Sequence, residues 1–235
     1  MITEKDILAA LKPFYDTKRA EHDESYINTQ YELLGCNMPA IRKVASMFDS
    51  ASRKKLEAIW KTSKNFGVLY VVLVILNDKE LSIKDWQMLK RLSSKIDNWA
   101  HSDMLSSIMV QLVELDPAKT YPDLKAWNNS KKPWQRRLSL TNLFYYSQMR
   151  SSYLPVSKVL PLVEALLQDD DVYVQKAVGW TLRETGNVYT KDAEAFIKKH
   201  VLDISSTAWS AATEKWPKSK KEPLKLKRKN ARKRS

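Results

Sequence analysis

Four glycines in 235 residues constrain this chain more than any motif does. The usual share is about 7%. So few leave little room for the hairpin turns of an antiparallel sheet, for a glycine-rich phosphate loop or for a dinucleotide fingerprint. What remains is a chain of helices joined by short connections. Apolar residues at helical spacing fit this: Ile7, Leu8, Leu11, Phe14 and Tyr15 behind a capping-box-like Thr3 and Asp6, then Ile41, Val44 and Ala45 behind Pro39.

The segment from Asn65 to Leu76 is apolar nearly all round, which marks a buried helix. Its valines and isoleucines would also suit a strand, although about 11 residues is long for one. Lys79 to Ile96 reads as amphipathic and Asp23 to Asn37 as polar and turn-like. Further helices are expected over Ser52–Lys61, Trp99–Leu115, Pro117–Trp127, Pro133–Tyr146, Val156–Leu167, Val172–Glu184, Asp192–Val201 and Ser205–Trp216. Helix pairs recurring about every 35 to 45 residues suggest an all-α solenoid of HEAT-like repeats over 1–217. Leu167 to Ala177, with Asp169, Asp170 and Asp171 before Val174, resembles the start of such a repeat's second helix.

The net charge of +13 is unevenly placed. From Lys218 to the end lie ten lysines or arginines and one acid, so +9 sits in the last stretch and +4 in the rest. Residues 218–235 have no apolar periodicity and are expected to be a disordered basic tail, serving as a nucleic-acid arm, a localisation signal or a solubilising end. The single cysteine, Cys36, fits a reducing compartment, and no apolar run reaches the roughly 18 residues of a membrane span. No secretory signal is read at the N-terminus, and a soluble intracellular protein is expected.

Candidate chemistry concentrates in three places. Trp99 and Asp103 stand four residues apart, one turn above the other on one helix face. They could be a packed ring and a surface acid, or a site that holds positive charge. His101 between them points about 200° away from Trp99. His22, His101 and His200 are isolated, so no metal site is expected. Lys131, Lys132, Arg136 and Arg137 crowd a helix start, where the macrodipole prefers anions. Phosphate binding would explain them, and so would a solvated basic turn over a buried Trp134. Trp180 falls at four-residue spacing with Lys176 and Glu184, off the apolar stripe of Val174, Ala177, Val178 and Leu182, and shares its helix with Arg183. Gly179, costing about 1 kcal/mol against alanine in a helix interior, points to a close approach there.

Three blocks together resemble the AlkD-type DNA alkylation repair family, alkylpurine DNA glycosylases built from HEAT-like repeats. They are Asp97-Asn98-Trp99-Ala100-His101-Ser102-Asp103, Trp134-Gln135-Arg136-Arg137 with Ser130 before it, and Val174 to Glu184. The last is the most specific, matching a Lys-Ala-Ile-Gly-Trp-x-Leu-Arg-Glu pattern. The similarity spans roughly residues 30 to 216 and includes a weaker match over Gly35 to Val44. By position, the resemblance puts the catalytic carboxylate on Asp103, the sugar-facing tryptophans on Trp99 and Trp180, and the phosphate-contacting arginine on Arg137.

Arg136, Lys131, Lys132, Lys176 and Arg183 join Arg137 as candidate DNA contacts on a concave face. Two departures stand out: Ala100 occupies a position where the family commonly has Asp, and the family's Glu-x-Arg is missing around Phe66 to Leu69. The activity implied is excision of cationic N3- or N7-alkylated purines from duplex DNA. It implies no cofactor, metal or membrane, and a monomer in the cytoplasm, on the nucleoid if the source is bacterial. The competing readings are a non-catalytic protein that binds branched or distorted DNA and a helical-repeat scaffold for protein partners.

Overall fold

The computed structural model describes residues 2–232, and among these the ordered elements are helices. The chain divides into two compact units, Met1–Leu112 and Val113–Ser235.

The first unit contains α1 (Glu4–Leu11), α2 (Thr17–Ile27), α3 (Met38–Ser46), α4 (Arg53–Thr62), α5 (Phe66–Asn77), α6 (Trp86–Ser93) and most of α7 (Trp99–Leu115). Its centre is α5, with ten of twelve residues buried and packed by α1, α3 and α4. Burial on all sides explains why a valine-rich segment is a helix: its backbone groups find their partners within the segment itself. Asn65 caps its start by accepting a hydrogen bond from Val68 N at 3.1 Å. The sole strand-like contact among the described residues is a single bridge from Glu32 to Asn65 just before it.

Two local expectations change. The polar stretch read as a turn is helical through Ile27, because Asp16 caps Arg19 N at 3.0 Å while Asp23 and Ile27 are buried. The amphipathic run from Lys79 is a helix only over α6, since Ser82 and Asp85 form a capping box around a short 3-10 turn at Ile83–Asp85. The Thr3–Asp6 capping box is present as read.

The second unit contains α8 (Pro117–Asn128), α9 (Pro133–Phe144), α10 (Val156–Glu164), α11 (Val172–Val188), α12 (Thr190–Lys199), α13 (Ser206–Ala212) and α14 (Lys218–Arg232). Here α11 is the hub, packing on α9, α10, α12 and α13. Gly179 shows why. A Cβ at that position would lie 2.4 Å from Ala208 O and 2.7 Å from Ala208 Cα, so only glycine lets α13 approach this closely.

The basic run expected to be disordered is helical over Lys218–Arg232, and its last three residues lie outside those described. Its order has a physical source in two anchors. Arg228 is buried over the Trp209 ring, and Lys220 pairs with Glu194.

Candidate DNA-contact surfaces in each unit

In the first unit the block around Trp99 separates into inward and outward residues. Asn98 caps α7, its Oδ1 accepting from His101 N at 2.9 Å. Its amide nitrogen lies 2.8 Å from Asp97 Oδ1 and 2.9 Å from His101 Nδ1. An amide donor at Nδ1 assigns the ring proton to Nε2, which then donates to Phe66 O at 3.1 Å. His101 is fully buried, stacked on Phe66 with ring centroids 4.4 Å apart and ringed by Tyr31, Trp60 and Tyr70. Burial pushes its pKa down to about 4, against which the Phe66 carbonyl works only in part. It is a neutral core histidine.

Asp97 turns toward the end of α2. It accepts from Thr29 Oγ1 at 2.8 Å and from Gln30 N at 2.8 Å, just after Asn28 closes α2 in the left-handed region at φ 52°. This latch brings Tyr26 against Trp99. The indole Nε1 donates to Tyr26 O at 3.3 Å, and the rings meet edge to face at 5.2 Å and 78°. Trp99 and Asp103 are both half-buried, one turn apart. Tyr70 lies within the field of Asp103: burial first, and the Asp103 charge second, push its pKa up to about 12 while Arg42 opposes them. Ala100 is 7% exposed, so an aspartate there would have to bury its charge.

In the second unit α9 and α11 share a face built from rings and cations. Arg137 is buried and donates from Nη1 to Tyr173 O at 2.8 Å. Tyr173 in turn lies 5.0 Å from Trp134, and Lys176 Nζ sits 4.8 Å over the Tyr173 ring. One turn on, half-buried Trp180 touches Tyr145 at 5.6 Å and Tyr146 edge to face at 6.3 Å and 90°.

Tyr146 has φ +50°, a conformation costly for a bulky side chain. Buried Glu184 helps hold it by accepting from Ser147 N at 3.0 Å and Ser147 Oγ at 2.6 Å. The same carboxylate accepts from Asn187 Nδ2 at 3.2 Å and Arg183 Nε at 3.3 Å.

The cations picked out in the sequence therefore divide. Lys131, Lys132 and Lys176 are exposed. Arg136 forms a two-point pair with Asp169 at 2.5 and 3.0 Å and also donates to Ser130 O at 2.9 Å, an arrangement that holds its guanidinium pKa above the usual value. Arg183 is joined to Glu184 and, at 2.6 Å, to Glu214. Arg137 is buried against the Tyr173 carbonyl, Lys176 and Trp180 lie along α11 beside it, and Arg136 and Arg183 are engaged with carboxylates. The rings that complete each set, Tyr26, Tyr145, Tyr146 and Tyr173, were missed in the sequence. Tyr26 and the Tyr145-Tyr146 pair flank helix ends, and nothing in their spacing links them to a tryptophan. Among the described residues no three metal-ligating side chains cluster, and no helix is long and apolar enough to cross a membrane.

Residues 7–216 match the model of a family described as DNA alkylation repair enzyme. Among solved structures, one described as a predicted DNA alkylation repair enzyme from Enterococcus faecalis superposes with a TM-score of 0.71. It shares 15% identity, and the match covers 87% of this chain and 97% of that one. At that identity the likeness is one of fold. No curated protein sequence matches.

Proposed function

Because the chain belongs to the DNA alkylation repair enzyme family, we propose that it is a DNA glycosylase excising cationic N3- or N7-alkylated purines from duplex DNA. The observation that carries the reading is the outward pair on α7. Trp99 and Asp103 stand half-buried one turn apart on one helix, and the Asp103 charge is felt at the neighbouring Tyr70.

The chemistry asks little of the protein. An alkylated purine is already cationic, so the C1′–N bond breaks with its electron pair moving onto the base, which leaves neutral. Positive charge appears on the deoxyribose as an oxocarbenium ion. An ionised Asp103 near C1′ stabilises that charge and orients the water whose oxygen bonds to C1′. The water's proton passes to solvent, and an abasic site and a free base remain. The Trp99 face adds cation–π stabilisation of about 0.5–2 kcal/mol.

Trp180 is assigned a second such face, and Arg137 a neighbouring phosphate, on the strength of the sequence blocks that carry them. Lys131, Lys132 and Lys176 supply further backbone contacts. We assign Arg136 and Arg183 to holding this surface in place, since both already serve carboxylates. Water is the sole co-reactant, so neither metal nor cofactor enters the scheme, and a monomer suffices for it.

The test is incubation with a duplex containing N7-methylguanine, measuring free base and abasic sites. Release is expected from the wild type, and Asp103→Asn should abolish most of it while duplex binding persists. Binding without release by the wild type would overturn the glycosylase in favour of a non-catalytic DNA-binding protein.

A further inference from the structure

Helix α14 is ordered against its own electrostatics. Of its fifteen residues eight are lysine or arginine, and Glu222 is its one acid. Lys221, Lys225 and Lys229 follow one another at four-residue spacing, an arrangement that destabilises an isolated helix. Its apolar content is confined to Pro223, Leu224, Leu226 and Ala231, and Leu226 is itself 58% exposed.

What holds the helix is a pair of cation anchors on one side. Arg228 is 7% exposed, its Nη1 donating to Val201 O at 2.5 Å and its guanidinium lying 4.9 Å over the Trp209 ring. Two turns earlier, Lys220 pairs with Glu194 and lies 4.2 Å over the Trp216 ring. Lys218, Lys225, Lys227 and Lys229 are exposed, and of these Lys227 falls on the Lys220 side of the helix while the other three share a different face. Lys218, Lys225 and Lys229 fall within about 40° of one another around the helix. The Glu222–Lys225 contact at 3.5 Å joins two groups that are each more than half exposed, so it offsets little of this charge.

A tail needed only for solubility has no use for anchors that fix its charges in a row. We propose that α14 is a DNA-binding arm, docked on its own unit through Arg228 and Lys220 and presenting Lys218, Lys225 and Lys229 to the phosphate backbone of duplex DNA. A regular polyanion relieves the repulsion along the row and releases condensed counterions. The arm contacts backbone and carries no base readout, so it binds damaged and undamaged duplex alike. The proposal rests on the reading above for DNA as the polyanion, and not on the excision chemistry.

The experiment uses the full chain carrying Lys218→Gln, Lys225→Gln and Lys229→Gln together, and an undamaged duplex of about 20 base pairs. Fluorescence anisotropy gives affinity across a range of salt. A charge-matched control replaces Lys191, Lys198 and Lys199, which are exposed on α12, with glutamine. The α14 variant is expected to bind at least tenfold more weakly at moderate salt. Its slope of log K against log salt should be shallower by roughly 2 to 3, since each phosphate left without its lysine takes about 0.9 from the slope. The control should bind like the wild type. Wild-type affinity and slope in the α14 variant would overturn the arm. An equal loss in the control would also overturn it, by showing that net charge alone is read. Because no lesion is present, failure to release base leaves this result readable.

Discussion

The two units repeat one local pattern and use it differently. Each has a tryptophan followed four residues later by an acid, Trp99–Asp103 on α7 and Trp180–Glu184 on α11. Each tryptophan meets a tyrosine edge to face, Tyr26 in one and Tyr146 in the other. Each tyrosine lies at a helix end with a left-handed residue, Asn28 or Tyr146 itself, followed directly by a hydroxyl that a carboxylate holds. The difference is which carboxylate does the holding. In the second unit the acid after the tryptophan is the latch: Glu184 is 4% exposed and accepts from Ser147, Asn187 and Arg183. In the first unit Asp97, two residues before Trp99, does that work, and Asp103 stands half-buried one turn after the indole. Spacing alone therefore does not make a catalytic pair. The acid that holds the hydroxyl follows the tryptophan in one unit and precedes it in the other.

The largest expected effect sharpens this contrast by crossing two substitutions. Asp103→Asn should lower single-turnover base release by about 100-fold or more, the scale of losing one electrostatic stabiliser, with little change in the unfolding midpoint. Glu184→Gln should do the reverse. It weakens the bonds that hold Ser147 and the strained Tyr146, costing about 2 kcal/mol in denaturant unfolding, with a smaller effect on release. If Asp103→Asn instead destabilises the fold and Glu184→Gln abolishes turnover at full stability, the assignment of roles is inverted.

The first unit should also carry an acid sensitivity traceable to His101. Its folded pKa of about 4 lies below the ordinary 6.5, so the unfolded chain takes up this proton first as pH falls. Stability from keeping the ring neutral is present above about pH 6.5 and is lost progressively toward pH 4, by about 3 kcal/mol at full extent. Urea unfolding at steps across this window measures it. His101→Gln, which cannot titrate, should be less stable at pH 7 yet show a flatter profile. An unchanged profile in that variant would assign the acid sensitivity to other groups.

Much of this arrangement could be read in the sequence, and the reasons differ by residue. Scarce glycine and helical periodicity identify an all-α chain because both are local properties of the polypeptide. Gly179 could be read as a close approach because its helix-breaking cost demands a packing reason, and Ala208 supplies it. Trp180 stood off the apolar stripe of its own helix, which is again local information. The partners could not be read that way. Arg136 and Arg183 look like free cations until Asp169 and Glu214, some thirty residues away, are brought to them by the fold. The order of α14 was hidden for a similar reason. A lysine-rich stretch without apolar periodicity reads as unfolded, and only the positions of Trp209, Trp216 and Glu194 explain why it is not.

The smallest expected effect distinguishes the two tryptophans. Replacing either by phenylalanine keeps an aromatic face but weakens its cation–π attraction, so release should fall about 2- to 30-fold in a variant whose ring faces the developing sugar charge. Their stabilities should differ. Trp99 donates its indole N–H to Tyr26 O, so Trp99→Phe also removes a hydrogen bond worth about 1 kcal/mol. It should lower the unfolding midpoint as well as the rate. Trp180 rests on ring contacts with Tyr145 and Tyr146, which phenylalanine retains in part, so its variant should lose rate with a smaller loss of stability. A Trp180→Phe protein with the wild-type release rate would remove α11 from the chemistry. The second unit would then be a surface for gripping DNA, and catalysis would rest with Trp99 and Asp103.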